Sequence, residues 1–212
     1  MKRATIGTAR SRYALLALAI LIATAATAGA LLSRSGVPQA SAFRGSIPPP
    51  GIVAPDFALR DYTGELVRMR DLRGKVVLVT FLDTKCTEAC PIIAGVIARG
   101  LDLLTPTQRG QVVALAITSN PHDDTPAAIR SFLRRHRAEG ELRYLIGSER
   151  ALRPVWDAFH VLPSIDTGSA DVHSAPARIF DRRGLWVSTL HAGADLTPAN
   201  LAHDVEAALE SS

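Results

Sequence analysis

Val76 to Phe81 is apolar on both alternating faces, the pattern of a strand covered on both sides of its sheet. Gln111 to Thr118 reads the same way. Between them Ile92, Ile93, Val96, Ile97 and Leu101 recur at helical spacing, and Pro91, with no N–H to leave unpaired, suits a first helical position. A helix is predicted over 91–104, and a strand–helix–strand connection of this length makes the two strands parallel. Upstream, Ala54–Leu59 and Gly64–Met69 alternate around a turn, which predicts a hairpin ahead of the central strand. Downstream, Thr125-Pro126 caps a helix whose buried face is Ile129, Phe132 and Leu133 and whose solvated face carries Arg130, Arg134, Arg135 and Arg137. A short strand at 143–146, a short helix at 149–159 and an irregular polar loop at 162–171 follow. Ala177–Phe180 and Leu185–Leu190 flank Asp181-Arg-Arg-Gly184 as a second hairpin, and Thr197-Pro198 caps a last helix reaching Leu209.

The amino-terminal part follows a different pattern. Tyr13 to Leu32 carries no charge, and as a helix it would measure about 30 Å, enough to cross a bilayer. Residues 1–12 form a basic cytoplasmic segment, 13–32 a membrane-spanning anchor, 33–50 a Ser/Gly/Pro-rich tether and 51–212 one folded domain. Ala26-Thr27-Ala28 resembles a signal-peptidase site, so a cleaved signal and a secreted or periplasmic product is the alternative. Four basic residues before the span place the domain outside the cytoplasm in either case. The net charge of +4 comes from the six basic residues of 1–55, which holds no acid; the remainder is nearly neutral and offers no electrostatic footprint for nucleic acid.

Chemistry concentrates at the end of the central strand, where the two cysteines of the chain, Cys86 and Cys90, stand just before Pro91. An extracytoplasmic compartment permits a disulfide, and two cysteines allow one intramolecular pairing. A helix N-terminus at Cys90 and the neighbouring Lys85 favour thiolate over thiol. A structural staple is the competing reading, but a bridge across so short a loop removes little unfolded-state entropy. With a dithiol where an inner strand meets its helix, the predicted fold is α/β and thioredoxin-like: a central mixed β-sheet flanked by helices, with an extra amino-terminal hairpin, behind the membrane-spanning segment.

The residues resemble the SCO/SenC copper chaperones, a branch of the thioredoxin superfamily, over roughly 52–209. The resemblance rests on Cys86-x-x-x-Cys90-Pro91 after a strand, on Asn120-Pro-His-Asp-Asp-Thr-Pro126, and on His173-Ser174 before a strand ending at Asp181 and Gly184. Asn120, the Thr-Glu-Ala between the cysteines and Arg178 depart from the family pattern. The resemblance implies Cys86, Cys90 and His173 as copper ligands, with Cu(I) as the main state and Cu(II) as the other. It implies delivery to the cytochrome c oxidase subunit carrying the CuA centre, or to other copper or thiol partner proteins. Two thiolates and an imidazole suit a soft, low-coordinate Cu(I), whereas zinc wants a fourth ligand.

Among the other histidines, His136 and His203 lie on helical patterns, His160 and His191 have no supporting motif, and His122 sits in a loop able to approach the cysteines. Pro176 is a candidate for a cis-proline turn facing the cysteines. The alternative function is a membrane-tethered thiol:disulfide oxidoreductase, with Cys86 attacking and Cys90 resolving. A metallochaperone stands ahead of an enzyme. A peroxidase is disfavoured because Thr84-Lys-Cys86 lacks a Thr-x-x-Cys spacing.

Overall fold

The structure, a computed structural model, describes residues 42–211. A seven-stranded sheet runs through this unit. Its strands in chain order are β1 (Ala58–Asp61), β2 (Leu66–Arg68), β3 (Val76–Leu82), β4 (Val112–Thr118), β5 (Leu142–Ile146), β6 (Ala177–Phe180) and β7 (Trp186–Leu190). The spatial order is β2-β1-β5-β4-β3-β6-β7. β3, β4 and β5 are parallel, while the hairpin β1–β2 joins β5 and the hairpin β6–β7 joins β3, both antiparallel. This is the mixed sheet the chain order predicts. The helices are α1 (Ala89–Asp102), α2 (Pro106–Arg109), α3 (Pro126–Arg135), α4 (Glu149–Ala158), α5 (Ser164–Thr167) and α6 (Pro198–Glu210), with a 3-10 turn at Met69–Leu72.

All seven residues of β3 are buried, which accounts for its unbroken apolar run. Its alternate side chains feed two separate cores. Val76, Leu78 and Leu82 pack with Ile93 and Ile97 of α1, Phe132 of α3 and Leu201 and Val205 of α6. Val77, Val79 and Phe81 face Leu152, Val155 and Trp156 of α4. Helices on both faces leave neither side of the central strand to water, and each such large side chain contributes roughly 1.5–3 kcal/mol by burial. At the far hairpin, buried Asp181 accepts the N–H groups of Arg183 and Leu185, and Gly184 takes φ +77, which the tight turn requires.

Three expectations need correction. Of the tether predicted over 33–50, residues 33–41 lie outside the described residues, and residues 44–50, with 51–53 after them, are bound to the sheet edge and to α6. Ser46 pairs with Thr189 and Val53 with Leu185. Buried Asp204 of α6 accepts the N–H groups of Arg44 and Gly45 and the hydroxyl of Ser188. Gly45 passes so close to β7 that a Cβ there would collide with the Ser188 hydroxyl and the Thr189 carbonyl. Second, α1 begins at Ala89, so Pro91 is third rather than first, still inside the turn whose N–H groups lack helical partners. Third, no peptide bond is cis among the described residues, so Pro176 is trans. The loop predicted at 162–171 contains the single turn α5. The span predicted over 13–32 lies outside the described residues; among those described, no helix is long and apolar enough to cross a membrane.

Asp204 ties the entry segment to the domain, so Asp204→Ala should orphan three donors at once. The expected loss is about 3 kcal/mol in urea unfolding, with earlier tryptic cleavage after Arg44. Unchanged stability and unchanged cleavage would show that the entry segment is held by other contacts.

Candidate metal centre

β3 ends at Leu82 and α1 begins at Ala89, so six residues must turn the chain at the carboxyl edge of a buried sheet. Backbone N–H groups in such a turn need acceptors, and aspartates provide most of them. Thr84 N–H donates to Asp124 Oδ1 at 2.9 Å and Lys85 N–H to Asp83 Oδ1 at 2.8 Å. Cys86 N–H reaches the Asp83 carbonyl at 3.2 Å. Thr87 and Glu88 N–H both reach Asp171 Oδ1, at 2.7 and 3.2 Å. Cys90 N–H then donates to Cys86 Sγ at 3.3 Å, so the Cys86 sulfur occupies the place of a capping oxygen at the start of α1.

Asp171 belongs to the loop that carries His173. With Asp171 clasped to Thr87 and Glu88, His173 Nε2 comes within 3.1 Å of Cys90 Sγ. The donor atoms of Cys86, Cys90 and His173 lie within 4.8 Å of one another. His173 Nδ1 is 3.3 Å from the Ser174 carbonyl, which can only accept, so Nδ1 carries a proton and Nε2 is the nitrogen presented to the sulfurs.

The two sulfurs are not equivalent. The hydrogen bond from Cys90 outweighs burial and, with help from His173 and the backbone N–H groups of Cys90 and Glu88, pulls the Cys86 thiol from 9.0 to about 5. For Cys90 the same bond and its burial act in one direction and push the thiol well above its ordinary value. The expectation of a thiolate at Cys90 is thus reversed. The helix N-terminus acts on Cys86, whose sulfur caps it, while Cys90 points into the core. Burial works against a charged His173, but its hydrogen bonds to Cys86 and the Ser174 carbonyl prevail and raise its pKa.

The model of the SCO1/SenC family matches residues 47–210. The chain belongs to this family. An SCO2-like protein of Rickettsia typhi is 26% identical over 137 residues, covering 62% of this chain and 66% of the relative. Copper-bound ScoI of Bradyrhizobium japonicum superposes with a TM-score of 0.62 at 27% identity, covering 74% of this chain and 100% of that one. BsSco, a member of the Sco family of cytochrome c oxidase assembly proteins with an identified disulfide switch, superposes with a TM-score of 0.64 at 17% identity, covering 79% of this chain and 99% of that one. At that identity the likeness to BsSco is one of fold.

In this SCO1/SenC domain, Cys86, Cys90 and His173 form the one cluster of three or more His, Cys, Asp or Glu side chains among the described residues able to surround a metal ion. His122 is drawn elsewhere, exposed and 3.9 Å from Glu149. His136 packs on Phe132 and His203 contacts Asp204, in keeping with their helical positions. His160 and His191 line a cavity beside His173 without joining the cluster. Sequence reasoning missed the acidic supports. Asp124 was legible only as part of the 120–126 motif; it also accepts the hydroxyls of Thr118 and Tyr144. Asp83 accepts from Ser164 at 2.7 Å, and neither it nor Asp171 carries a local signal of its role.

Thiol alkylation of the reduced protein should follow the Cys86 thiolate. Because this pKa is depressed, the rate should hold from neutral pH down to about 5 and fall away below it, where an ordinary cysteine would lose its rate below about 8.5. Removing the largest cause in Cys90→Ala should move the midpoint upward by a unit or more. A wild-type midpoint near 8.5 would contradict the asymmetry.

Proposed function

We propose that the protein binds one Cu(I) as cargo through Cys86, Cys90 and His173 and passes it to a partner in cytochrome c oxidase assembly, at the CuA centre. The observation that carries this reading is the convergence of two sulfurs and one imidazole nitrogen within 4.8 Å. The donor chemistry fits a soft monovalent ion. The copper-bound ScoI of Bradyrhizobium japonicum and the oxidase-assembly role of the family of BsSco support the cargo and the destination.

The backbone carbonyl on Nδ1 keeps the Nε2 lone pair aimed at the ion, and the aspartate-held loop keeps the two sulfurs at a separation an ion can bridge. Loading displaces the proton of Cys90, since the thiolate is the ligand. Release to a target follows by ligand exchange, with incoming thiolates replacing the two sulfurs one at a time.

A second reading, thiol:disulfide exchange, is favoured by the asymmetric sulfurs. Cys86 thiolate would attack one sulfur of a target disulfide and expel the other as a thiolate. Cys90, giving up its proton, would then attack the Cys86 sulfur, so that the target leaves as a dithiol and the Cys86–Cys90 disulfide remains. The substitution His173→Ala separates the two functions. Loss of a ligand should weaken Cu(I) retention at least about 100-fold in competition with a chelator, whereas exchange with a small disulfide should change only through the Cys86 thiolate fraction. Retention unaffected by His173→Ala, or an X-ray absorption spectrum without two sulfur neighbours, would defeat the copper reading.

We further propose that residues 13–32 hold the domain at the outer face of the cell membrane. The full chain should sediment with membranes and be accessible to added protease from outside the cytoplasm. Recovery of a mature product starting near Gly29 would replace the anchor with a cleaved signal.

A further inference from the structure

Among the described residues Arg178 is a cation without a counter-ion. It sits on β6 in register with Val79 of β3 and is half-buried. Its Nη1 donates to the Phe159 carbonyl at 2.6 Å, the Trp186 ring lies 5.0 Å from its guanidinium carbon, and its Nε is buried without a partner. These contacts are neutral. No ion pair among the described residues involves Arg178. Every acidic side chain of the sequence falls between Asp56 and Glu210, inside the described range, and residues 1–41 contain none. No acidic side chain of this sequence therefore supplies the missing charge, and a partly desolvated, uncompensated guanidinium is a strong anchor for an incoming carboxylate.

Arg178 also lines a cavity of about 400 Å³ together with His160, His173 and His191 and with Ala89 and Ile93 of α1. The cavity thus has Arg178 and His173 of the metal centre in one lining. His160 takes φ +49 after α4, at a position where glycine would fit without strain, so the imidazole is what this residue adds there. Both sulfurs are buried, and exposed apolar side chains stand near them beside the polar residues of the turn. Ile92, two residues after Cys90, Val172, next to His173, and Leu162, whose carbonyl accepts from Ser174 N–H, are each about half exposed. A free anion would use the guanidinium and leave this rim in water; a protein segment covers both.

We propose that this cleft docks the cysteine-bearing segment of the partner protein, with an acidic residue flanking that cysteine paired to Arg178. The proposal rests on the reading of Cys86 and Cys90 as the exchanging pair and adds the recognition that brings a target to them.

The test compares two disulfide-closed Cys-x-x-x-Cys peptides, identical except for glutamate or glutamine flanking the cysteines, reacting with the reduced full chain in neutral detergent. In each reaction the two thiols of the protein become the Cys86–Cys90 disulfide and the peptide disulfide becomes two thiols. The glutamate peptide should react about tenfold faster at low ionic strength and lose that advantage at about 1 M salt. The advantage should vanish in Arg178→Gln and persist in part in Arg178→Lys, while the rate with a small neutral disulfide and the Cu(I) affinity stay unchanged in both. Equal rates for the two peptides with the wild-type chain, a measurement that needs no variant, would overturn the proposal, as would an undiminished advantage in Arg178→Gln. A wild-type chain that failed to retain Cu(I) would strike the copper function and leave the peptide comparison standing.

Discussion

The turn between β3 and α1 is held by carboxylates that accept most of its backbone N–H groups. Thr84 depends on Asp124, Lys85 on Asp83, and Thr87 and Glu88 on Asp171. These acceptors come from three places in the chain: the end of β3, the loop after β4 and the loop before β6. Each hydrogen bond to a buried charged acceptor is worth about 1.5–3 kcal/mol net, and less where the carboxylate faces water, as Asp171 does. Asp124 is the costly member. Burial raises its pKa despite the hydrogen bonds from Thr118, Thr84 and Tyr144, which act in the opposite direction. Dithiol geometry is therefore a property of the sheet edge as a whole, with Asp83 in turn held by Ser164 of α5.

The same arrangement divides the labour between two chemically identical residues. Cys86 takes a helix N–H on its sulfur and has hydrogen-bond donors around it; Cys90 is fully buried among Leu82, Ile93 and their neighbours in the core. The proton of the pair stays on Cys90, because its hydrogen bond with Cys86 and its burial outweigh the Asp83 N–H on its sulfur, while on Cys86, also buried, the donors around the sulfur outweigh burial. His173, linked to the loop through Asp171, faces both sulfurs and gains proton affinity from the anion it helps to stabilise.

Much of this architecture was legible from local pattern. β3 and β4 announce themselves because strands buried on both faces are apolar throughout, and the caps Thr125-Pro126 and Thr197-Pro198 mark the first turns of α3 and α6 through side chains that accept the N–H three residues on. The cysteines and His173 were readable as a set through the resemblance to the SCO/SenC family, and the fold brings them to one sheet edge. What stayed hidden depends on contacts distant in sequence. Asp204 binds the backbone at Arg44 and Gly45, 160 and 159 residues away, so nothing near Arg44 distinguishes a bound strand from a tether. Asp171 looks like any acid in a polar loop until the fold brings Thr87 to it. The charge state of the sulfurs was misjudged because the helix dipole was assigned by sequence position, whereas the group lying on the axis end is decided by which way each side chain turns.

Charge conservation links the proposed cargo to this local field. The reduced site holds one thiolate and one thiol, a net charge of −1 beside a histidine whose proton affinity is raised. With His173 neutral, replacing the Cys90 proton with Cu(I) would leave two thiolates and one monovalent cation, again −1; a proton held on His173 Nε2 would have to leave as well before that nitrogen could bind. A divalent ion would change that total by one unit, and the low-dielectric core around Cys90 would have to reorganise for it. Oxidation to the disulfide removes the anion altogether. It takes from His173 the partner that supports its proton and from the Cys90 N–H the anionic acceptor that caps α1. Metal exchange and disulfide formation would use the same two atoms, and of the two only the first would keep an anionic sulfur beside the Cys90 N–H and His173.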